Sequence, residues 1–178
     1  MRNKDVEHYS IGSKILHWLI AVLVIMMLLG GFFMSDVASS IKPLVYMIHK
    51  STGLTILALM FIRLVWIIQQ GKPQLPASVS RFERILSHAV QHSFYLFLFL
   101  MPLSGWVLST AAGRPPVYFG LMMIPFPGIP LNDSLAEFMT ECHEVIAYIL
   151  IGLIVLHISG ALKHHWIDKD GFLRRMFW

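Results

Sequence analysis

Cys142-His143-Glu144-Val145-Ile146-Ala147-Tyr148-Ile149-Leu150-Ile151-Gly152-Leu153-Ile154-Val155-Leu156-His157 is an almost unbroken apolar run with an imidazole at each end. It continues to Lys163, giving a stretch long enough to cross the ~30 Å hydrocarbon core of a bilayer. At ~1.5 Å rise and ~3.6 residues per turn, the two histidines stand about 21 Å apart and within about 40° of the same helix face. One spanning helix therefore presents two stacked imidazoles to one side. A ligating side chain inside a span is costly, so it carries a functional hypothesis by default.

Working outward, the rest of the chain repeats the pattern. Apolar residues make up 56% of the 178 residues and charged ones 13%, with a mean hydropathy of +0.66. Such a composition lies outside the range of soluble domains. Hydrophobic runs at 15–34, 44–68, 85–110 and 142–163 predict an all-α fold, a four-helix transmembrane bundle, with residues 1–178 forming one membrane-embedded domain. The run from Ile15 to Met34 is too long for the core of a secretory signal. With a single cysteine, Cys142, and no CxxCH motif, neither an internal disulfide nor thioether-linked haem is available. Cys142 reads as a small packing residue.

Charge sets the orientation. With both termini cytoplasmic, Arg2, Lys4, Lys14, Arg63, Lys72, Arg81, Arg84, Lys163, Lys169, Arg174 and Arg175 fall inside, leaving Lys42, Lys50 and Arg114 of the 14 basic residues outside. That bias satisfies the positive-inside rule. The net charge of +4 is accordingly a topology and lipid signal, and it does not point to nucleic acid. Loops 35–43 and 69–84 are short enough to make neighbouring spans antiparallel. The outer segment 111–141 is rich in Pro and Gly and is expected at the bundle mouth. Within it, Ser134 and Glu137 read as a capping box that starts the fourth helix well outside the membrane. Trp18, Trp66, Trp106 and Trp166, near span ends, read as interfacial anchors.

Depth sorts the histidines. His17 and His157 lie at the inner level, His49 and His143 at the outer. Opposed imidazoles from different helices suit six-coordinate haem irons, here two non-covalent haem b groups held by His17/His157 and His49/His143. Each ligand is followed four residues later by a small side chain: Ala21, Gly53, Ala147 and Ala161. That position shares the ligand's face, where a bulky group would meet a macrocycle. His88 and His92 compete for the inner level, but they read as partners of a propionate, a quinone or water. Arg63 suits a propionate at the inner haem or lipid phosphate, and Lys50 plays the same part at the outer.

Ile15-Leu16-His17-Trp18, Met47-Ile48-His49-Lys50-Ser51-Thr52-Gly53, Arg63, Pro102-Leu103-Ser104-Gly105, and Cys142-His143-Glu144 through His157 to His164-His165 resemble the bacterial cytochrome b561 family over almost the whole chain. The resemblance implies a bacterial inner-membrane dihaem protein linked to the ubiquinone pool, with the four histidines as axial ligands. It also implies a quinone site near His164 and His165. One branch of that family is similar to a superoxide oxidase, which would need a positive field at the outer mouth. Lys42, Lys50 and Arg114 supply one, while Asp133, Glu137 and Glu141 oppose it. Two other readings stand beside a superoxide:ubiquinone oxidoreductase. One is a carrier for a partner oxidoreductase, such as a periplasmic redox protein, with no substrate site of its own. The other is a metal-ion transporter using His88, His92, Cys142, His143 and the methionines as soft ligands.

Overall fold

The computed structural model describes residues 9–71, 79–169 and 171–177. Arg2, Lys4 and Lys72 of the charge count lie outside those residues. Four long helices dominate: α1 (Ile11–Phe33), α2 (Lys42–Gln70), α3 (Arg81–Ala111) and α4 (Asp133–Lys163). All four are long and apolar enough to span a membrane. A π-helical turn, His164–Asp168, extends α4, and a 3-10 turn, Phe172–Met176, follows it.

At their N-termini all four helices begin before the apolar runs that announced them, and in α1, α3 and α4 a polar cap sets that start. Ser80 caps α3 in a full capping box with Glu83: its hydroxyl accepts from Glu83 N, and the Glu83 carboxylate accepts from Ser80 N. The expected Ser134–Glu137 box does not start α4. Asn132 is the cap, its side-chain oxygen accepting from Leu135 N at 2.9 Å, so Ser134 already lies inside the first turn. Asparagine tolerates the extended backbone of a cap and satisfies one of the orphan amides there.

Ile15, Leu19, Val22, Met26, Leu29 and Phe33 form an exposed stripe along α1 at helical spacing, the surface a bilayer would cover. The buried side chains Ile20, Val24, Ile56, Met60, Leu98, Ile146 and Leu150 form one cluster drawn from all four helices. By chain position this cluster lies between the two histidine levels. Packing runs α1 on α2, α2 on α3 and α3 on α4, while the α1 and α4 backbones stay apart. Side chains bridge that seam, with the rings of Phe32 and Tyr148 5.9 Å apart. At the end where the described residues begin and finish, here termed inner, Lys14 Nζ donates to the Phe177 carbonyl at 2.6 Å and Trp18 Nε1 to that of Met176 at 3.0 Å.

The outer segment folds back as a small hairpin, β1 (Val117–Tyr118) paired antiparallel with β2 (Met122–Met123). Its tip puts Phe119 at φ 44° and Gly120 at φ 78°, a conformation that costs a bulky residue such as Phe about 1–2 kcal/mol. Ser51, completely buried in α2, holds this tip. Its Oγ accepts from Phe119 N at 2.9 Å and donates towards the carbonyls of Met47 and Val117 at 2.7 and 3.3 Å. Nearby, Thr55 Oγ1 and Tyr118 Oη share a hydrogen bond of 3.1 Å.

Candidate functional site

The histidines meet in the pairs their depth and face suggested. The ring centroids of His17 on α1 and His157 on α4 are 6.2 Å apart, and those of His49 on α2 and His143 on α4 are 6.4 Å apart. Two imidazoles on opposite sides of one metal would place their centroids about 6.2 Å apart, given a metal–nitrogen bond of about 2.0 Å and about 1.1 Å from nitrogen to ring centre. Both pairs match that span. His88 and His92 are also 6.3 Å apart, with rings 21° from parallel, but they sit four residues apart on one helix and are exposed. Their spacing merely follows from the helix, whereas the other pairs required separate helices to converge.

Around the outer pair the bundle encloses a cavity of about 950 Å³, lined by His49, His143, Gly53, Pro102, Gly105 and Trp106 among others. Gly105 lies against the His143 ring. A Cβ at that position would stand 2.9 Å from His143 Cε1 and 3.2 Å from Nδ1, so only glycine lets α3 and the ring approach this closely. One residue earlier, Ser104 Oγ lies 3.0 Å from His143 Nδ1 and donates to the Met101 carbonyl at 2.9 Å. Pro102 also lines the cavity. Having no N–H, it leaves the Leu98 carbonyl without its usual helical partner.

Lys42, Lys50 and Arg114 line the same cavity, whereas Asp133, Glu137 and Glu141 are exposed and do not. Lys50 Nζ donates to the Arg114 carbonyl at 2.6 Å, and Ser109 Oγ donates to that carbonyl too. These bonds tie the outer segment over the cavity. Trp106 Nε1 donates to the Ile124 carbonyl at 2.8 Å, and its ring packs edge-on against Phe126 at 4.9 Å. Three of the four tryptophans read as interfacial anchors thus also act as internal ties, since Trp18 binds the C-terminal turn and Trp66 Nε1 donates to Ser10 Oγ at 3.0 Å. Trp166 remains exposed.

At the inner level Arg63 turns into the bundle. One guanidinium nitrogen lies 3.2 Å from His17 Nδ1, and the guanidinium carbon stands 6.0 Å from the centre of the Tyr95 ring. Its Nε is buried without a hydrogen-bond partner. An unsatisfied buried donor on a charged group is expensive, more than the ~1–3 kcal/mol of a neutral one. A carboxylate arriving beside His17 would satisfy it, and each haem carries two. The donor chemistry and the imidazole spacing therefore both fit haem.

His164 and His165 lie in the π-helical turn that extends α4. His164 Nδ1 is 3.1 Å from Asp168 Oδ2, and Lys163 Nζ bridges Glu83 and Asp168 at 2.5 and 2.7 Å. Glu83, His164 and Asp168 are close enough together to hold a cation, but the Lys163 ammonium already sits against both carboxylates. His88, His92, Cys142 and His143 form no such group among the described residues.

Known proteins match the chain over nearly its whole length. The family described as Prokaryotic cytochrome b561 matches residues 8–178. The chain is 35% identical over 174 residues to Cytochrome b561 homolog 2 of Escherichia coli (strain K12), covering 96% of this chain and 91% of that one. It is 30% identical over 170 residues to Probable superoxide oxidase CybB of Yersinia pestis, covering 96% of each. Four apolar helices of spanning length, opposed histidines from different helices and a match over nearly the whole chain together place this protein in the prokaryotic cytochrome b561 family, whose members are b-type haem electron-transfer proteins of the bacterial inner membrane.

Proposed function

We propose that the protein holds two b haems, one between His49 and His143 and one between His17 and His157, and carries electrons across the bilayer between superoxide at the outer face and ubiquinone at the inner. The observation that carries this reading is the pair of imidazole separations, 6.2 and 6.4 Å, at opposite levels of one bundle. When bound, haem supplies one-electron Fe(III)/Fe(II) chemistry. The remaining roles fall to the chain.

Lys42, Lys50 and Arg114 around the outer cavity favour approach of an anion. The opposing acids named above are exposed and do not line that cavity, which favours superoxide as the outer donor. One electron leaves each superoxide, yielding dioxygen, and two electrons with two protons convert ubiquinone to ubiquinol. The aliphatic cluster between the levels keeps the path dry. Arg63, with its unsatisfied Nε, pairs with a propionate of the inner haem. In this reading the quinone headgroup sits by His164 and His165, beside Lys163 at the inner end of α4.

A carrier role for a partner oxidoreductase is favoured by one feature: Leu121, Met122 and Met123 of the outer hairpin are strongly exposed and apolar. The two readings separate in a stopped-flow experiment on purified protein with ubiquinone. A superoxide oxidase shows superoxide-dependent haem reduction followed by ubiquinol formation, with no added protein. A carrier shows neither until its partner is supplied.

A further inference from the structure

The hydrogen bonding around His143 fixes more than its position. A serine hydroxyl has one proton to give, and that of Ser104 is committed to the Met101 carbonyl at 2.9 Å. With that bond made, its oxygen accepts from His143 Nδ1, 3.0 Å away, and the Met101 carbonyl is a second acceptor for the same ring. The imidazole then carries its proton on Nδ1, leaving Nε2 with the free lone pair.

We infer that Ser104 is a positioning residue for the outer haem: it presets His143 as an Nε2 ligand and lowers the potential of that haem by accepting from Nδ1–H. The inference rests on the proposal that His143 ligates haem. An imidazole whose second nitrogen donates to an acceptor is a more basic ligand with a fixed ring orientation. A more basic ligand favours Fe(III) over Fe(II), so the potential falls. Ser104 is only 8% exposed, so its hydroxyl is held between the His143 ring and the Met101 carbonyl. Gly105 complements it by leaving room for the ring, as the 2.9 Å approach requires. Ser104 touches neither substrate nor the reacting atoms.

The test is a redox titration of the purified full-length protein, with EPR of the oxidised form, for wild type, Ser104→Ala and Ser104→Thr. In Ser104→Ala the outer haem is expected to titrate at a higher potential, and its low-spin EPR signal to shift, while the inner haem is unchanged. Ser104→Thr keeps the hydroxyl and should restore the wild-type potential. An outer potential unchanged in Ser104→Ala at full haem content overturns the inference while leaving the ligand assignment intact. Equal loss of the outer haem in both variants overturns it as well, since Ser104 would then matter only for its size. If His143→Ala keeps both haems, the ligand assignment itself fails, and the inference with it.

Discussion

At the scale of single residues the arrangement is set by what each imidazole is allowed to touch. Gly105 is the sharpest case. Replacing it with alanine puts a methyl 2.9 Å from His143 Cε1, inside van der Waals contact, and the helix backbone cannot easily yield. Gly105→Ala is expected to lose most of the outer haem while the inner haem remains, read as a halved haem-to-protein ratio. Full haem content in that variant would show that the ring has room to move. The pairing of His49 with His143 and of His17 with His157 was legible in the sequence, because depth and helical face follow from counting residues. Ser104 and Gly105 were visible only as part of a family-like stretch. Their roles depend on how closely α3 and α4 approach, and no periodicity encodes that distance.

At the scale of elements, polar side chains do what hydropathy does not show. The spans were read from apolar runs, and the helices outrun them wherever a cap lies further out, at Ser80 and Asn132. The Ser80–Glu83 pair is a box in plain sequence, but it lies just outside the apolar run beginning at residue 85. The hairpin was invisible for a different reason: strands of two residues have no period to detect. What holds it is Ser51, whose buried hydroxyl joins α2 to both Val117 and Phe119. Ser51→Ala leaves the Phe119 amide without its partner, at an expected cost of about 1–3 kcal/mol. The expected outcome is a lower unfolding temperature in detergent and faster proteolysis between 115 and 130, with the inner haem unaffected. Unchanged proteolysis would mean that strand pairing alone secures the hairpin.

At the scale of the whole molecule, α4 is common to both pairs and carries one histidine of each, while α1 and α2 supply one apiece. α3 contributes no histidine to either pair but packs most extensively on α4 and brings Ser104 and Gly105 to the outer one. The open seam between α1 and α4 is the natural consequence, since the two helices are joined across it by side chains and by the proposed inner cofactor. The central claim is that this bundle holds two haems in tiers, and haem stoichiometry tests it most directly. Pyridine haemochrome quantitation of purified wild type and of the four single variants His17→Ala, His49→Ala, His143→Ala and His157→Ala should give two b haems per chain, falling to one in each variant. The retained haem should be the same for His17 and His157 and the other for His49 and His143, distinguished by potential. A wild type with a single haem, or a variant set in which partners lose different haems, would contradict the account.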